Sequence, residues 1–336
     1  MEFLKEKGID CEFSPLIHEE EDRVLYSKGH YLKKIFLFFR FIFRRMHDIR
    51  NAKNFDVVFV YRETAPNRSS WMEKKISRHS KLVFDFDDSI WLLDVSQANR
   101  MFSWYRNPSK TLKIIRHSHL VIAGNEYLAN YAKLANTNVV VFPTTIDTEK
   151  YKTVRTQHSE KPICIGWSGS VTTIKHFEYA LPFLKILKEK FKEKISFKVI
   201  GDGNYINDEL GIKGIPWIEK DEISELSEIA IGIMPLPDDE WSRGKCGLKG
   251  LQYMALGIPT LMSPVGVNTE IIQHGENGFL CSTTEEWTEC ISKLIESPEL
   301  RKKLGENGRI TVEEKFSYTS QKNKYLKIFQ DLLESK

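Results

Sequence analysis

Short apolar runs rich in Val, Ile and Phe alternate along the chain with longer stretches of helical periodicity, the pattern of βα units feeding parallel sheets. The runs predict strands over Asp56–Tyr61, Lys81–Asp85, Leu120–Ala123 and Val139–Phe142 in the first half. In the second half they predict strands over Ile163–Trp167, Ser196–Ile200, Ile229–Met234, Pro259–Met262 and Gly278–Leu280. An α/β protein with two Rossmann-like sheets is the expectation. From Pro143 to Pro162 the chain is polar and follows neither period, which reads as a linker and puts the boundary near Tyr151. The expected domains are residues 1–150 and 151–317, with a lone amphipathic helix over 318–336 packing back toward the first. A doubly wound domain opens with a strand and a glycine-rich turn. This chain opens MEFLKEKGIDCEFSPLI, which reads as a helix end followed by a second strand. The first domain is therefore expected to lack its first strand, through truncation rather than natural variation.

Composition narrows the classes. The 336 residues are 41% hydrophobic and 12% aromatic, enough for sizeable cores and outside the disordered class. With 49 Lys+Arg against 46 Asp+Glu the net charge is only +3, so a nucleic-acid-coated protein is excluded and a basic surface has to be local. The five cysteines form no CxxC pair and no Cys/His cluster at ligand spacing, which argues against a zinc site or a disulfide framework and fits a reducing cytoplasm. No run of about 18 apolar residues is long enough to span a bilayer.

The segment IGIMPLPDDEWSRGKCGLKGLQYMALGIPTLMSPVGVNTEII reads as strand, exposed loop, helix, strand, glycine turn, helix. Its loops fall beyond the carboxyl ends of strands, where open α/β sheets bind ligands. Arg243, Lys245 and Lys249 stand there beside Gly244 and Gly247. Glycines let a backbone approach an anion, the next helix offers N–H groups, and the cations complete a diphosphate site. A solvated basic loop is the alternative.

This segment, with IGWSGSVTTIKHFEYALPFL, FKVIGDG, SPVGVNTEIIQHGENGFL and VEEKFSY, resembles the retaining glycosyltransferases of family 4, which have the GT-B fold. The likeness is to a subgroup with a GKCGxKxLQYMALGxP loop; VVFVYRETAP, VFDFDDSIW and VIAGNEYLANYA extend it through the first domain. The resemblance implies two Rossmann-like domains facing a cleft. It implies transfer of a sugar, with retention, from a nucleotide diphosphate sugar held by the second domain to an acceptor held mostly by the first, with no metal or other cofactor.

The family's donor signature has two glutamates eight apart; the matching positions here are Gly244 and Gln252. Gln252 keeps hydrogen-bonding capacity toward ribose hydroxyls. Asp238, Asp239 or Glu240 could replace the carboxylate missing at Gly244. After the domain's first strand the family places an arginine and a lysine five apart; here, beyond Gly169, those positions are Ser170 and Lys175. Lys249, where the commoner signature has proline, is the substitute cation. Lys175 and Lys249 are thus the expected stabilisers of the leaving diphosphate. The resemblance also places Gly266, Asn268 and Glu270 near the donor phosphates, Glu270 equally serving the helix dipole, and Pro216 and Trp217 at the base, Trp217 equally reading as a core residue.

In the first domain, Asp85, Phe86 and Asp87 spell a DxD, the metal motif of another class of glycosyltransferases, but two carboxylates fall short of a divalent site. Asp87 and Asp88, at a strand's carboxyl end, are better placed to orient an acceptor hydroxyl, in the sharper version as general base, with helix capping by Asp88 or Ser89 as the alternative. Asn125 and Glu126 follow the next strand and are acceptor-side candidates, Asn125 alternatively an N-cap. His117 and His119 read as structural.

Residues 23 to 53 hold nine Lys+Arg and one acid, Asp48. Leu32, Ile35, Phe39, Ile42, Met46 and Ile49 form one helical stripe expected to pack on the sheet. Leu37 and Phe41 then stand exposed among Lys33, Lys34, Arg40, Arg44 and Arg45, which suits a helix over 31–50 lying on an anionic membrane surface, with burial by the domain's own loops as the alternative. A lipid-linked or saccharide acceptor, envelope or capsule polysaccharide synthesis, and a cytoplasmic location, peripheral on the inner membrane face, follow as expectations. The rival readings are a sugar-nucleotide 2-epimerase and a non-catalytic GT-B partner.

Overall fold

The computed structural model describes residues 2–18, 29–65, 67–92, 107–153 and 162–334, with Glu21 and Val24. Residues 154–161 of the linker and Arg23 and Lys28 of the basic stretch lie outside the described residues. Contacts divide the chain into two units. Unit 1 runs to Gly124 and adds Leu128–Phe142 and the chain from Lys324; unit 2 holds Asn125–Tyr127 and Pro143–Asn323.

Unit 1 comprises α1 (Tyr31–Asn51), β1 (Val57–Tyr61), α2 (Trp71–Ile76), β2 (Lys81–Phe86), α3 (Ser109–His117), β3 (Leu120–Ala123), α4 (Glu126–Lys133) and β4 (Val139–Val141). Its four described strands pair in parallel in the order β1-β2-β3-β4, with Val60 opposite Phe84 and Val121 opposite Val139. All four residues of β3 are buried, which is why a continuous apolar run rather than an alternating one marks it. Tyr325, Ile328, Phe329 and Leu332 of the last helix pack on Val83, Leu120 and Ile122.

The face that α1 buries differs from the predicted one. Leu37 is 7% exposed and Phe41 half-buried, whereas Leu32 is 85% and Ile35, Phe39 and Ile42 are also exposed; of the predicted stripe only Ile49 is buried, with Met46 half-buried. The cause is the segment before the helix. Arg44 donates to the Leu16 carbonyl and to Glu21, and Arg45 donates to the Ser14 and Thr64 carbonyls. These guanidinium groups share the Leu37 and Phe41 side of the helix, so polar anchors, invisible to a count of apolar positions, choose which side is covered.

Unit 2 comprises β5 (Ile163–Ser168), α5 (Ile174–Phe177), α6 (Leu181–Phe191), β6 (Ile195–Gly201), β7 (Ile215–Pro216), α7 (Glu222–Ser227) and β8 (Ile231–Met234). It continues with α8 (Glu240–Arg243), α9 (Leu248–Ala255), β9 (Thr260–Met262), α10 (Asn268–Ile271), β10 (Phe279–Leu280), α11 (Thr284–Glu296), α12 (Pro298–Thr311) and the start of α13 (Tyr318–Glu334), whose residues from Lys324 belong to unit 1. Its parallel sheet has the order β10-β9-β8-β5-β6-β7, the doubly wound order with its reversal between β5 and β8. On one sheet face Trp167, Phe183, Val199, Ile231 and Trp287 share a core, the Phe183 and Trp287 rings stacked at 4.8 Å. On the other, Leu251, Tyr253, Met254, Met262 and Val312 do so. The Ser168 backbone N–H donates to the Tyr253 hydroxyl at 2.6 Å, tying the end of β5 to α9. No described helix is long and apolar enough to cross a membrane.

Candidate functional site

Where strand order reverses, the loops leaving neighbouring strands diverge and open a crevice at their carboxyl ends. In unit 2 those loops start at Gly169, after β5, and at Pro235, after β8. The first is a tight turn: Ser170 donates its N–H to Thr173 Oγ1 at 2.9 Å, and α5 with Lys175 follows. The second passes through α8, capped by Asp239, whose carboxylate accepts from the Ser242 N–H at 2.7 Å. It ends at Gly247, whose φ of +72° starts α9 and whose missing Cβ would lie 2.4 Å from Ile271 Cδ1. Only glycine meets both conditions.

Lys249, in the first turn of α9, sets its ammonium 4.8 Å from the centre of the Trp167 ring and donates to Thr173 Oγ1 at 3.4 Å, joining the two loops. Lys245 sits 4.6 Å over Trp241. His176, which the sequence did not single out, reports on the field between them. Burial, then the charges of Lys249, Lys175 and Lys245, push its pKa down to about 4, with Asp239 acting the other way. Three lysines thus act on one buried, neutral imidazole beside a helix N-terminus, an arrangement that suits a diphosphate.

The remaining donor candidates divide. Arg243 is exposed and held by Asp238, Nε at 2.7 Å and Nη2 at 3.1 Å. With Asp238 on Arg243 and Asp239 capping α8, two of the three acids proposed to replace a carboxylate at Gly244 are spent on their own loop. Gly244, at the end of α8, has ordinary helical angles. Gly266, with φ +54°, packs its Cα face on the Arg243 carbonyl, which a Cβ would approach to 2.7 Å. Asn268 is 1% exposed and turned inward, its amide donating to the Ser263 carbonyl at 3.0 Å. Glu270 is exposed at the start of α10. Asn125 and Glu126 precede and open α4; the buried Asn125 amide donates to the Lys245 carbonyl at 3.0 Å, supporting the cationic loop from behind, and Glu126 is exposed.

Gln252 is buried on α9 and belongs to a network no spacing rule would find. Its amide nitrogen donates to the Tyr151 hydroxyl at 2.9 Å and to Glu222 Oε1 at 3.2 Å. Trp217, just past β7, donates its indole N–H to the same oxygen at 2.7 Å, and the Tyr151 hydroxyl donates to the other Glu222 oxygen. Burial and then this bond to Glu222 raise the Tyr151 pKa well above the phenol range.

In unit 1 the acids at the carboxyl end of β2 meet a cation. Arg62 donates to Asp87 Oδ1 through Nε at 3.0 Å and Nη2 at 2.8 Å, and to Asp88 at 2.9 Å; Tyr61 donates to Asp87 Oδ2 at 2.8 Å. Asp85 is different. Burial and the Asp87 charge, opposed by Arg62, push its pKa up to about 7. The DxD therefore contributes one guanidinium-bound carboxylate and one that holds its proton near neutrality. Among the described residues no group of three or more His, Cys, Asp or Glu comes together that could hold a metal ion. His119 accepts the Leu82 N–H through Nδ1 and serves the sheet.

Known proteins add three comparisons. The chain is 32% identical over 118 residues to the N-acetyl-alpha-D-glucosaminyl L-malate synthase of Bacillus anthracis, covering 34% of this chain and 30% of that one. It is 30% identical over 164 residues to the uncharacterized glycosyltransferase MJ1069 of Methanocaldococcus jannaschii, covering 44% and 40%. It thus spans less than half the length of these curated relatives. Among solved structures, Anabaena Alr3699/HepE in complex with UDP and glucose matches 85% of this chain and 81% of its own at 14% identity, with a TM-score of 0.65. At that identity the match shows the fold, two Rossmann-like α/β domains of the GT-B type. Residues 147–311, which carry Lys175, Lys245, Lys249 and Gln252, match the family of Glycosyl transferases group 1.

Proposed function

We propose that this protein is a retaining glycosyltransferase of the family 4 type. It moves a sugar from a nucleotide diphosphate sugar, bound by unit 2, to a saccharide or lipid-linked acceptor. The observation that carries the reading is that Lys249 on α9 reaches Thr173 in the loop after β5, in loops that also carry Lys175 and Lys245, at the strand-order reversal of a doubly wound sheet. Breaking the bond between the sugar's anomeric carbon and the diphosphate leaves negative charge on the departing oxygens. Lysines already oriented by Trp167, Thr173 and Trp241 stabilise that charge without reorganising, and two such contacts contribute several kcal/mol. A neutral His176 fits the same task, since it adds no further repulsion among the lysines. In this reading side-chain cations do the work a metal does in DxD enzymes, and Asp87 and Asp88 orient the acceptor from within the Arg62 clamp.

The test is turnover of a panel of UDP-, GDP- and ADP-sugars with chelator present, followed by release of nucleoside diphosphate. One donor should turn over at a rate that chelator leaves unchanged. Activity that appears only with added Mn²⁺ would overturn the metal-free reading and return attention to Asp85 and Asp87.

A second observation favours a membrane-side acceptor in envelope or capsule polysaccharide synthesis, with the protein peripheral on the cytoplasmic face. Tyr31, Leu32, Ile35, Phe36, Phe38, Phe39, Ile42 and Phe43 are all exposed on α1, among Lys33, Lys34 and Arg40. Exposed aromatics interleaved with cations suit the interface of an anionic bilayer. The residues that support this reading are not Leu37 and Phe41, which are covered, but those on the opposite side of the helix.

A further inference from the structure

We propose that unit 1 holds a phosphate site of its own, a cavity at the amino ends of β1, β2 and β3 that takes the phosphate ester of a hydroxylated small molecule. The cavity lies at the opposite edge of the sheet from Arg62, Asp87 and Asp88, which follow the carboxyl ends of β1 and β2. It is independent of the donor-site reading of unit 2.

Chain order builds the cavity. Asp56 immediately precedes β1, Lys81 opens β2 and His119 immediately precedes β3, so three adjacent parallel strands bring these residues to one edge. The turn after α1 adds Lys53 and Asn54, the turn after α2 adds Arg78 and His79, and Leu333 of α13 completes the lining. The volume is about 490 Å³, inside the range of roughly 300–1,000 Å³ that small-molecule sites occupy. Its frame is fixed by bonds between the turns: the Lys81 N–H donates to the Asp56 carbonyl at 3.0 Å, and the Ser80 hydroxyl donates to the Ala52 carbonyl.

A lysine or arginine just past a helix end ordinarily serves the last carbonyls of that helix. Here those carbonyls already have donors. Lys74 accepts from the Ser77 hydroxyl at 3.1 Å, Ile76 from the His79 and Ser80 N–H groups at 2.9 and 3.1 Å, and Ala52 from the Phe55 N–H at 3.0 Å as well as from Ser80. Lys53 and Arg78 are exposed, and among the described residues neither pairs with a carboxylate. Arg62 and Lys110 of the same unit differ, since Asp87, Asp88 and Glu63 hold them at 2.7 to 2.9 Å. A guanidinium and an ammonium that neither close a helix nor complete an ion pair, set around one cavity, suit a phosphate group.

The rest of the lining gives the ligand its chemistry. His119 Nδ1 accepts the Leu82 N–H at 3.0 Å, and burial, then the charge of Lys81, lowers the pKa of the ring. Its proton therefore sits on Nε2, and the ring is a neutral donor. Asp56 is the one acid among the lining residues; with Asn54 it offers oxygens that accept from hydroxyl groups and repel a second phosphate. Phe55 and Leu333 supply apolar wall for a carbon skeleton. Cations and hydroxyl acceptors in one cavity call for a polyol or sugar phosphate, either free in solution or as the headgroup of a lipid.

The experiment follows the imidazole NMR signals of the full chain, assigned with His79→Gln and His119→Gln, during titration with glycerol 3-phosphate. In the wild type both signals should move together and saturate, with an affinity at least about threefold above that for inorganic phosphate. Lys53→Gln with Arg78→Gln should weaken binding about tenfold or more, the scale of losing a hydrogen bond to a charged group. Asp56→Ala should remove the preference over inorganic phosphate. Lys249→Ala should leave the titration unchanged, which separates this cavity from the donor site. Should the double variant not fold, Arg78→Gln alone should weaken binding at least about threefold. Flotation with phosphatidylglycerol-containing vesicles distinguishes the two sources: with a headgroup ligand the double variant binds vesicles less and glycerol 3-phosphate displaces the wild type, whereas with a soluble ligand neither change occurs. Histidine signals that do not saturate, a double variant that binds like the wild type, equal affinity for the ester and inorganic phosphate, or a titration lost in Lys249→Ala would each overturn the proposal.

Discussion

Both units gather charge at the carboxyl ends of parallel strands, with opposite electrostatic outcomes. In unit 1 Arg62 is enclosed by Asp87, Asp88 and the Tyr61 ring, its guanidinium 5.1 Å from the ring centre. In unit 2 Lys249 and Lys245 are seated against indole faces and a hydroxyl, and the charges acting on His176 are three lysines and one aspartate. A guanidinium between two carboxylates is close to electrically closed. Cation–π seating over the faces of Trp167 and Trp241 orients the ammonium groups of Lys249 and Lys245 without fixing them by the paired carboxylates that hold Arg62. The backbone agrees: Arg62 has a φ of +60°, a left-handed conformation costing on the order of 1 kcal/mol, so the clamp holds a strained residue in position. Unit 1 spends its charges on a fixed geometry, whereas in the proposed reading unit 2 turns its lysines to a donor phosphate.

The largest expected effect breaks the unit 2 half of this contrast. Lys249→Ala should lower kcat by about 100-fold or more, the scale of losing a transition-state contact, with a smaller change in nucleotide affinity. Wild-type kcat in that variant would mean the cluster carries no catalytic charge.

The unit 1 half is sharpened by pH. An unfolded aspartate ionises near pH 3.8, whereas folded Asp85 holds its proton up to about 7. Between these values the folded state carries a proton the unfolded chain has lost. The stability that proton contributes is therefore fully present below about pH 4 and is lost as pH rises through 7. Asp85→Asn cannot ionise, so its stability relative to wild type should rise from pH 5 to pH 8 by about 2 kcal/mol, read as a widening gap in Tm. Parallel pH profiles for the two proteins would show that Asp85 is not held protonated and that the Arg62 clamp already balances it.

The sequence yielded what is local and missed what is closed in space. Strands such as Leu120–Ala123 and Ile231–Met234 were legible because a strand buried on both faces must be apolar at every position. The two-residue strand Ile215–Pro216 and the hairpin of Ile206–Asn207 with Ile212–Lys213 carry too little pattern to be seen. Lys245 and Lys249 were singled out by their glycine-rich loop and Lys175 and Gln252 by resemblance, but their arrangement was not legible, since Lys249 meets Thr173 across 76 residues of sequence. Glu222 and Tyr151 were invisible for the same reason: their bond spans 71 residues, and neither belongs to a motif. Helix α1 shows the reverse error. Its periodicity was clear, but the buried side was settled by Arg44 and Arg45 binding the preceding segment.

That reversal makes α1 the last and smallest test of how unit 1 meets its surroundings. With the acids at β2 closed around Arg62, the proposed contact with an anionic surface falls to α1. Leu32, Phe36, Phe39 and Phe43 form one stripe at i, i+4, i+7 and i+11, opposite Leu37 and Phe41. Cations near an anionic bilayer contribute on the order of 1 kcal/mol each and weaken with salt, whereas each apolar side chain buried in lipid contributes about 1.5–3 kcal/mol that salt does not screen. Changing all four stripe residues to Ser should abolish binding to phosphatidylglycerol-containing vesicles at physiological salt and move Tm by no more than about 1 °C, because exposed side chains contribute little to folding. Leu37→Ala, on the covered side, should lower stability by about 2 kcal/mol and leave vesicle binding intact. If the fourfold variant unfolds, the stripe is part of the folded core; if it floats with vesicles as before, the membrane contact lies elsewhere and the lipid-linked acceptor loses its structural support.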